Sequence, residues 1–178
     1  TRLAPVQVSS LSGVTAIAAG GRHNLALLVN GTVMAWGANE SGQLGNNSTL
    51  SSSLPVAVSG LTNVVAIAAG DAHSLALKSD GSVVAWGFNA FGQLGVGDTT
   101  NRLVPTAITS LGTGVGLIAA GANHSLAVKA GGSMYAWGNN ANSQIGDGTN
   151  ANRLTPVALS THTGVPSVPG GPRHTAAS

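Results

Sequence analysis

Read as hydrophobic and polar positions, the chain is a succession of short apolar runs cut by glycine, proline and small polar residues. Runs such as "VVAIAA" at 64–69 and "LALL" at 25–28 are apolar on consecutive positions. Strict alternation would mark a strand with one wet face, whereas a short continuous run marks a strand buried on both. Taking 55–86 as one period, the pattern predicts strands at 55–58, 64–69, 74–78 and 82–86. The last two meet across Asp80-Gly81, and Asn30-Gly31 and Gly131-Gly132 hold the same place elsewhere. All three dipeptides accept positive φ, which predicts a two-residue primed turn in each period. No stretch has the length and spacing of an amphipathic helix, so crossover helices are not available to cover these strands. The alternative is to stack like sheets face to face, as the blades of a propeller do, with Ala and Gly on the strands crowded nearest the axis.

The period can be measured. Ile17 to Gly20 recurs at 67–70 and 118–121, His23 recurs as His73 and His124, and Trp36 recurs as Trp86 and Trp137. Gln43, Gln93 and Gln144 follow each Trp at one fixed distance. Pro5, Pro55, Pro105 and Pro156 open a further run, and Val14, Val64, Val115 and Val165 open the next. One interval varies, by a single residue in "TSLGTG" (109–114), where a surface loop is expected to absorb it. Residues 1–164 therefore read as three repeats, with the N-terminal segment offset from the repeat boundary. Residues 165–178 read as an incomplete, degenerate fourth: Gly171 and His174 keep the spacing, but Pro166, Pro169 and Pro172 fall where a central strand would run. The expected fold is all-β, with blades of four antiparallel strands in about three and a half repeats of a partial or half propeller.

Composition narrows the functional classes. The 178 residues fit one domain, but three Trp, two Phe and one Tyr leave the core to Ala, Val, Leu and Ile. Seven Lys and Arg stand against five Asp and Glu, all scattered singly, so the clustered charge of a nucleic-acid footprint is missing. No apolar run approaches the roughly 18 residues of a membrane span, and Thr1 opens no charged-then-apolar leader, so a soluble segment with no membrane partner is expected. With no Cys there is no disulfide framework, thiolate ligand or cysteine nucleophile.

Three histidines at one repeat position are most simply structural, each bonding neighbouring backbone at a tight turn and lending its ring to packing. A zinc site built from His23, His73 and His124 conflicts with geometry. Ligand nitrogens sit about 2 Å from one ion, while equivalent positions on stacked sheets lie roughly 10 Å apart. The tryptophans are expected to pack between blades. Gly42, Gly45, Gly92, Gly95 and Gly97 lack the Lys-Ser or Lys-Thr and helix of a phosphate loop and read as turn glycines. Asp98 with Arg102, and Asp147 with Arg153, are placed to bridge the loop that follows each Gln. Glu40 is the only Glu, and no Ser, His and acid are spaced as a nucleophile requires, so no enzyme, metal or cofactor is expected.

The stretch "GQLGVGDTTNRLVPTAI" (92–108), preceded by "IAAGDAHSLAL" and "DGSVVAWG", resembles the regulator-of-chromosome-condensation repeat, a unit of about 50 residues. The likeness covers residue 2 to about 164 and rests on several motifs at fixed offsets in three units. "NSQIG" (142–146) departs modestly from "GQLG", and the tryptophans lack the Asp of the WD-type repeat. The resemblance implies a propeller that typically has seven blades, of which about half are present. It leaves three arrangements open: a piece of a longer protein, two copies closing a ring by self-association, or an open arc. In the eukaryotic member that promotes nucleotide exchange on a small GTPase, the Gly-x-x-His loops face the partner. The matching positions here are Arg22 and His23, Asp71 and His73, and Asn123 and His124. Only the second carries an acid, and no unit carries an inserted wedge. The functions implied are a non-enzymatic protein-interaction scaffold, a guanine-nucleotide exchange regulator, or an architectural or secreted inhibitor-like propeller. Low charge resembles the bacterial secreted members, which keeps an extracellular or cell-surface setting among the readings.

Overall fold

The computed structural model describes residues 3–159. Among the described residues twelve strands form three four-stranded antiparallel sheets in chain order. The first holds β1 (Val14–Ala19), β2 (His23–Leu28), β3 (Val33–Gly37) and β4 (Ser52–Ala57). The second holds β5 (Val64–Ala69), β6 (His73–Lys78), β7 (Val83–Gly87) and β8 (Arg102–Ala107). The third holds β9 (Val115–Ala120), β10 (His124–Lys129), β11 (Met134–Gly138) and β12 (Arg153–Leu159). These are the propeller blades that the apolar runs predict. The proposed fourth unit at 165–178 lies outside the described residues.

Each proline-bearing run closes the sheet before it. Pro55 sits in β4, where Val56 pairs with Ala35 and Ser52 with Gly37, so the strand starts three residues earlier than its proline suggests. Pro105 and Pro156 sit likewise in β8 and β12. These are edge strands, where a residue without an N–H is tolerated. The segment around Pro5 forms no strand.

The cores lie between blades. His73 to Leu77 in β6 and His124 to Val128 in β10 are buried at every position, as unbroken apolar patterning requires. Leu25, Leu27 and Leu44 of the first blade pack with Val64, Ala76 and Trp86 of the second. Leu75, Leu77 and Leu94 of the second pack with Val115, Ala127 and Trp137 of the third. The Ala-rich strands β1, β5 and β9 touch from blade to blade. The extra residue of the third period falls in the loop before β9, where a 3-10 turn (Thr109–Leu111) keeps Leu111 buried as Leu61 is in the period before.

The hairpins differ from the primed turn expected. Gly31 N–H bonds Leu28 O and Leu28 N–H bonds Thr32 O, with the same pattern at Lys78 and Lys129. Only the second residue of each dipeptide (Gly31, Gly81, Gly132) has positive φ. This is a three-residue loop with a bulge at the glycine. In the first two hairpins a side-chain oxygen of the first residue supports this turn by accepting the N–H two positions on, from Thr32 to Asn30 and from Ser82 to Asp80.

Candidate functional site

The recurrent histidines occupy the seams between blades. Ser74 Oγ donates to Gln43 O at 3.0 Å, so toward His23 it accepts, and His23 Nε2 carries the proton across 2.9 Å. Trp86 Nε1 donates to the same Gln43 carbonyl at 2.9 Å. At the next seam His73 Nε2 donates to Ser125 Oγ (3.0 Å), Ser125 Oγ to Gln93 O (2.8 Å) and Trp137 Nε1 to Gln93 O (2.9 Å). At both seams the earlier blade thus supplies an imidazole N–H and a carbonyl, and the later one a hydroxyl and an indole N–H. At His23 and His73 the side chain bonds a serine on the following blade rather than the local backbone expected.

This tautomer leaves Nδ1 of His23 and of His73 as buried lone pairs with no hydrogen-bond partner. Burial pushes His73 down to about 3, with the neighbouring His23 and His124 adding repulsion. Burial likewise pushes His23 down to about 4, opposed in part by the Asp71 backbone. Both rings are neutral at pH 7. His73→Ala removes the seam bond and a fully buried ring, and we expect a loss of about 2 kcal/mol in urea melts. Among the described residues no three His, Asp or Glu side chains converge as metal ligands do.

The six partner-facing residues that the resemblance implies separate into two groups. His23, His73 and His124 are 1%, 0% and 1% exposed, so their rings lie within the packing rather than on the loop surface. Arg22 and Asp71 are exposed and Asn123 is half-buried. Their loops are joined across blades: Gly21 N–H bonds Gly70 O (3.2 Å) and Asp71 N–H bonds Ala122 O (3.0 Å). The outcome is one hydrogen-bonded rim with a different side chain at each blade.

The asparagines at Asn39, Asn89 and Asn140, all fully buried, escape a reading based on charge and histidine. Asn89 Nδ2 donates to Asp98 O and Thr100 O while its Oδ1 accepts from Leu94 N–H, which fixes the long loop after the Gln. Asn39 and Asn140 do the same. Their constant distance from each Trp is the signal that identifies them. Arg102 bridges Asp98 at 2.6 Å and Arg153 bridges Asp147 at 2.5 Å, as the spacing predicts, and these partly exposed pairs shape the same loops.

Solved structures share this fold. Prp20p from Saccharomyces cerevisiae, described with its binding properties to Gsp1p and histones, superposes with a TM-score of 0.84 and 26% identity, covering 94% of this chain and 44% of that one. Human WBSCR16 gives 0.82 and 26%, covering 92% and 44%. The chain thus spans less than half the length of either protein. The family described as Regulator of chromosome condensation (RCC1) repeat matches residues 30–77, 80–128 and 131–178, and a second description of that repeat matches 14–43, 64–93 and 117–144. With repeats, blades and seams in register, the chain belongs to the regulator of chromosome condensation (RCC1) repeat family.

Proposed function

We propose that the chain is a non-enzymatic protein-interaction module whose recognition surface is the rim carrying Arg22, Asp71 and Asn123. The observation that carries this reading is a constant frame with variable side chains: the buried seam repeats from blade to blade, while the two loop positions before each histidine change from Gly21-Arg22 to Asp71-Ala72 to Ala122-Asn123. Loops held on a rigid scaffold are where binding residues collect. The histidine–serine pairs favour a structural role over a nucleophilic one, because each serine proton is committed to a main-chain carbonyl. A relative of the same fold whose binding to Gsp1p and histones is described makes a protein the natural class of partner.

Charge reversal tests it. Arg22→Glu or Asp71→Lys should weaken a partner retrieved from the native source at least about fivefold, since rim charges act on encounter and specificity. The melting temperature should stay nearly constant, both side chains being exposed. Unchanged affinity in both variants, with loss on changing loop 95–102, would place the surface on the other loops.

A further inference from the structure

The tips of the first two β-hairpins are built alike, with one chemical difference. In the first, Asn30 Oδ1 accepts from Thr32 N–H at 3.1 Å and from Thr32 Oγ1 at 2.7 Å. In the second, Asp80 Oδ1 accepts from Ser82 N–H at 2.9 Å and from Ser82 Oγ at 2.6 Å. Asn30 and Asp80 are exposed, and each precedes a glycine with positive φ, +75° at Gly31 and +78° at Gly81. The third hairpin has Gly131 in this place and so lacks the side chain altogether.

The first tip brings together the parts of an acyl transfer. The bond from Thr32 N–H to Asn30 Oδ1 closes a small ring that contains both Asn30 Cγ and Gly31 N, an electrophile and a nucleophile. Both Thr32 donors point at the oxygen on which negative charge collects when a nitrogen adds to Cγ, and donors placed there bind the transition state more strongly than the amide itself. Gly31 brings no side chain to crowd the attack, and Asn30-Gly31 is the one Asn-Gly pair in the sequence. An opposing effect comes from the main chain: Gly31 N–H donates to Leu28 O at 2.9 Å, and Gly31 O accepts from Val64 N–H of the second blade at 3.0 Å. Attack therefore requires brief opening of an exposed tip, which costs much less than global unfolding.

We propose that Asn30 is a self-modifying site, converted to aspartate and isoaspartate through a succinimide, with the Thr32 N–H and hydroxyl as its oxyanion donors. Gly31 N gives its proton to hydroxide and forms a bond to Asn30 Cγ. The Cγ–Nδ2 bond breaks, and ammonia leaves with a proton from water. Water then opens the ring. Cleavage between Cγ and the nitrogen gives aspartate; cleavage between the main-chain carbonyl carbon and the nitrogen gives isoaspartate, in which the chain runs through the side chain. Asp80 is the internal comparison. The Ser82 hydroxyl and N–H, with Lys78 nearby, hold its carboxyl below the usual range, and an ionised carboxylate resists addition. The aspartate product gives the first tip the chemistry of the second, whereas isoaspartate lengthens the main chain beside the contact between Gly31 and Val64. The tip lies at the opposite end of β2 from the rim, so the proposal is independent of the recognition surface.

The test holds the folded protein at mildly alkaline pH and maps its peptides with isoaspartate resolved from aspartate. Asn30 should lose its amide before any other asparagine, with isoaspartate among the products, while Asp80 stays unchanged. Thr32→Val keeps the shape and the N–H but loses the hydroxyl, and should slow the loss at Asn30 about fivefold or more, the effect of one hydrogen bond. Thr32→Ser should recover most of the rate. In urea, with the chain unfolded, Thr32→Val should match the unaltered chain, because the hydroxyl no longer faces Oδ1. An Asn30 amide that outlasts those of Asn47 or Asn142, each followed by serine, overturns the proposal. Isomerisation of Asp80 at the same pace does so as well. Equal or faster loss in folded Thr32→Val also overturns it, since the hydroxyl would then restrain the side chain rather than serve the reaction.

Discussion

Gly70→Ala is expected to cost at least about 4 kcal/mol, and in urea melts to leave little or no cooperative transition, an effect at the far end of what single substitutions do. Gly70 does not have positive φ, so the cost is steric. A Cβ there would enter the His73 ring and stand 2.6 Å from Gly121 O of the next blade. The ring is fully buried and bonded to Ser125, and the carbonyl belongs to the neighbouring main chain, so neither has room to yield. Gly116→Ala is the control. It sits on β9 with Val128 O, at 3.9 Å, as the nearest atom to a Cβ, and the gain in strand propensity should leave the protein unchanged or about 0.5 kcal/mol more stable. Similar midpoints for the two variants would mean that the histidine seam is soft.

Acid should unfold the protein well above the carboxylate range. His23 and His73 have folded values of about 4 and 3, below the 6.5 of the unfolded chain. As pH falls past 6.5 the unfolded state takes up protons that the folded state refuses, so stability is complete above 6.5. It declines down to about 4 for His23 and about 3 for His73, then levels off. Each histidine contributes a slope of about 1.4 kcal/mol per pH unit inside its window. Together they should lower stability by about 6 kcal/mol between pH 7 and 4. Asp147, held at about 2 by bonds from Thr149 and Arg153 that outweigh its desolvation, adds a further loss below about 4 as its carboxylate protonates. The check is a series of urea melts against pH with His73→Ala alongside, whose slope should be shallower by one proton. A flat profile from pH 7 to 4.5 would contradict neutral burial of the rings.

What the sequence reveals here depends on how local the cause is. Strands β5, β6 and β7 follow from apolar continuity and fall within a residue of the positions that the pattern predicts. The turn type does not, because Asn30 and Asp80 accept both positive φ and a side-chain turn, and the neighbouring Thr32 and Ser82 N–H groups decide between them. The proline run belongs to the preceding sheet for a reason set by pairing with β3 and β7, which periodicity alone leaves open. The histidines stand out in sequence, yet their partners are 51 and 52 residues away on another blade. Burial then removes them from the surface on which the resemblance places them. Arg22 and Asp71 remain there because nothing in the seam needs their side chains.

The seam also has a direction. At both seams the earlier blade gives an imidazole N–H and a carbonyl forward and the later blade gives a hydroxyl and an indole N–H backward, so on the second blade the residues that make contact on one side never compete with those on the other. A unit copied in tandem within the gene would therefore find both its neighbours ready, with no compensating change on either side. Lineages of such proteins can lengthen or shorten by whole units while every junction keeps its chemistry, and the limit on their number is set by curvature around the axis rather than by the fit between adjacent copies.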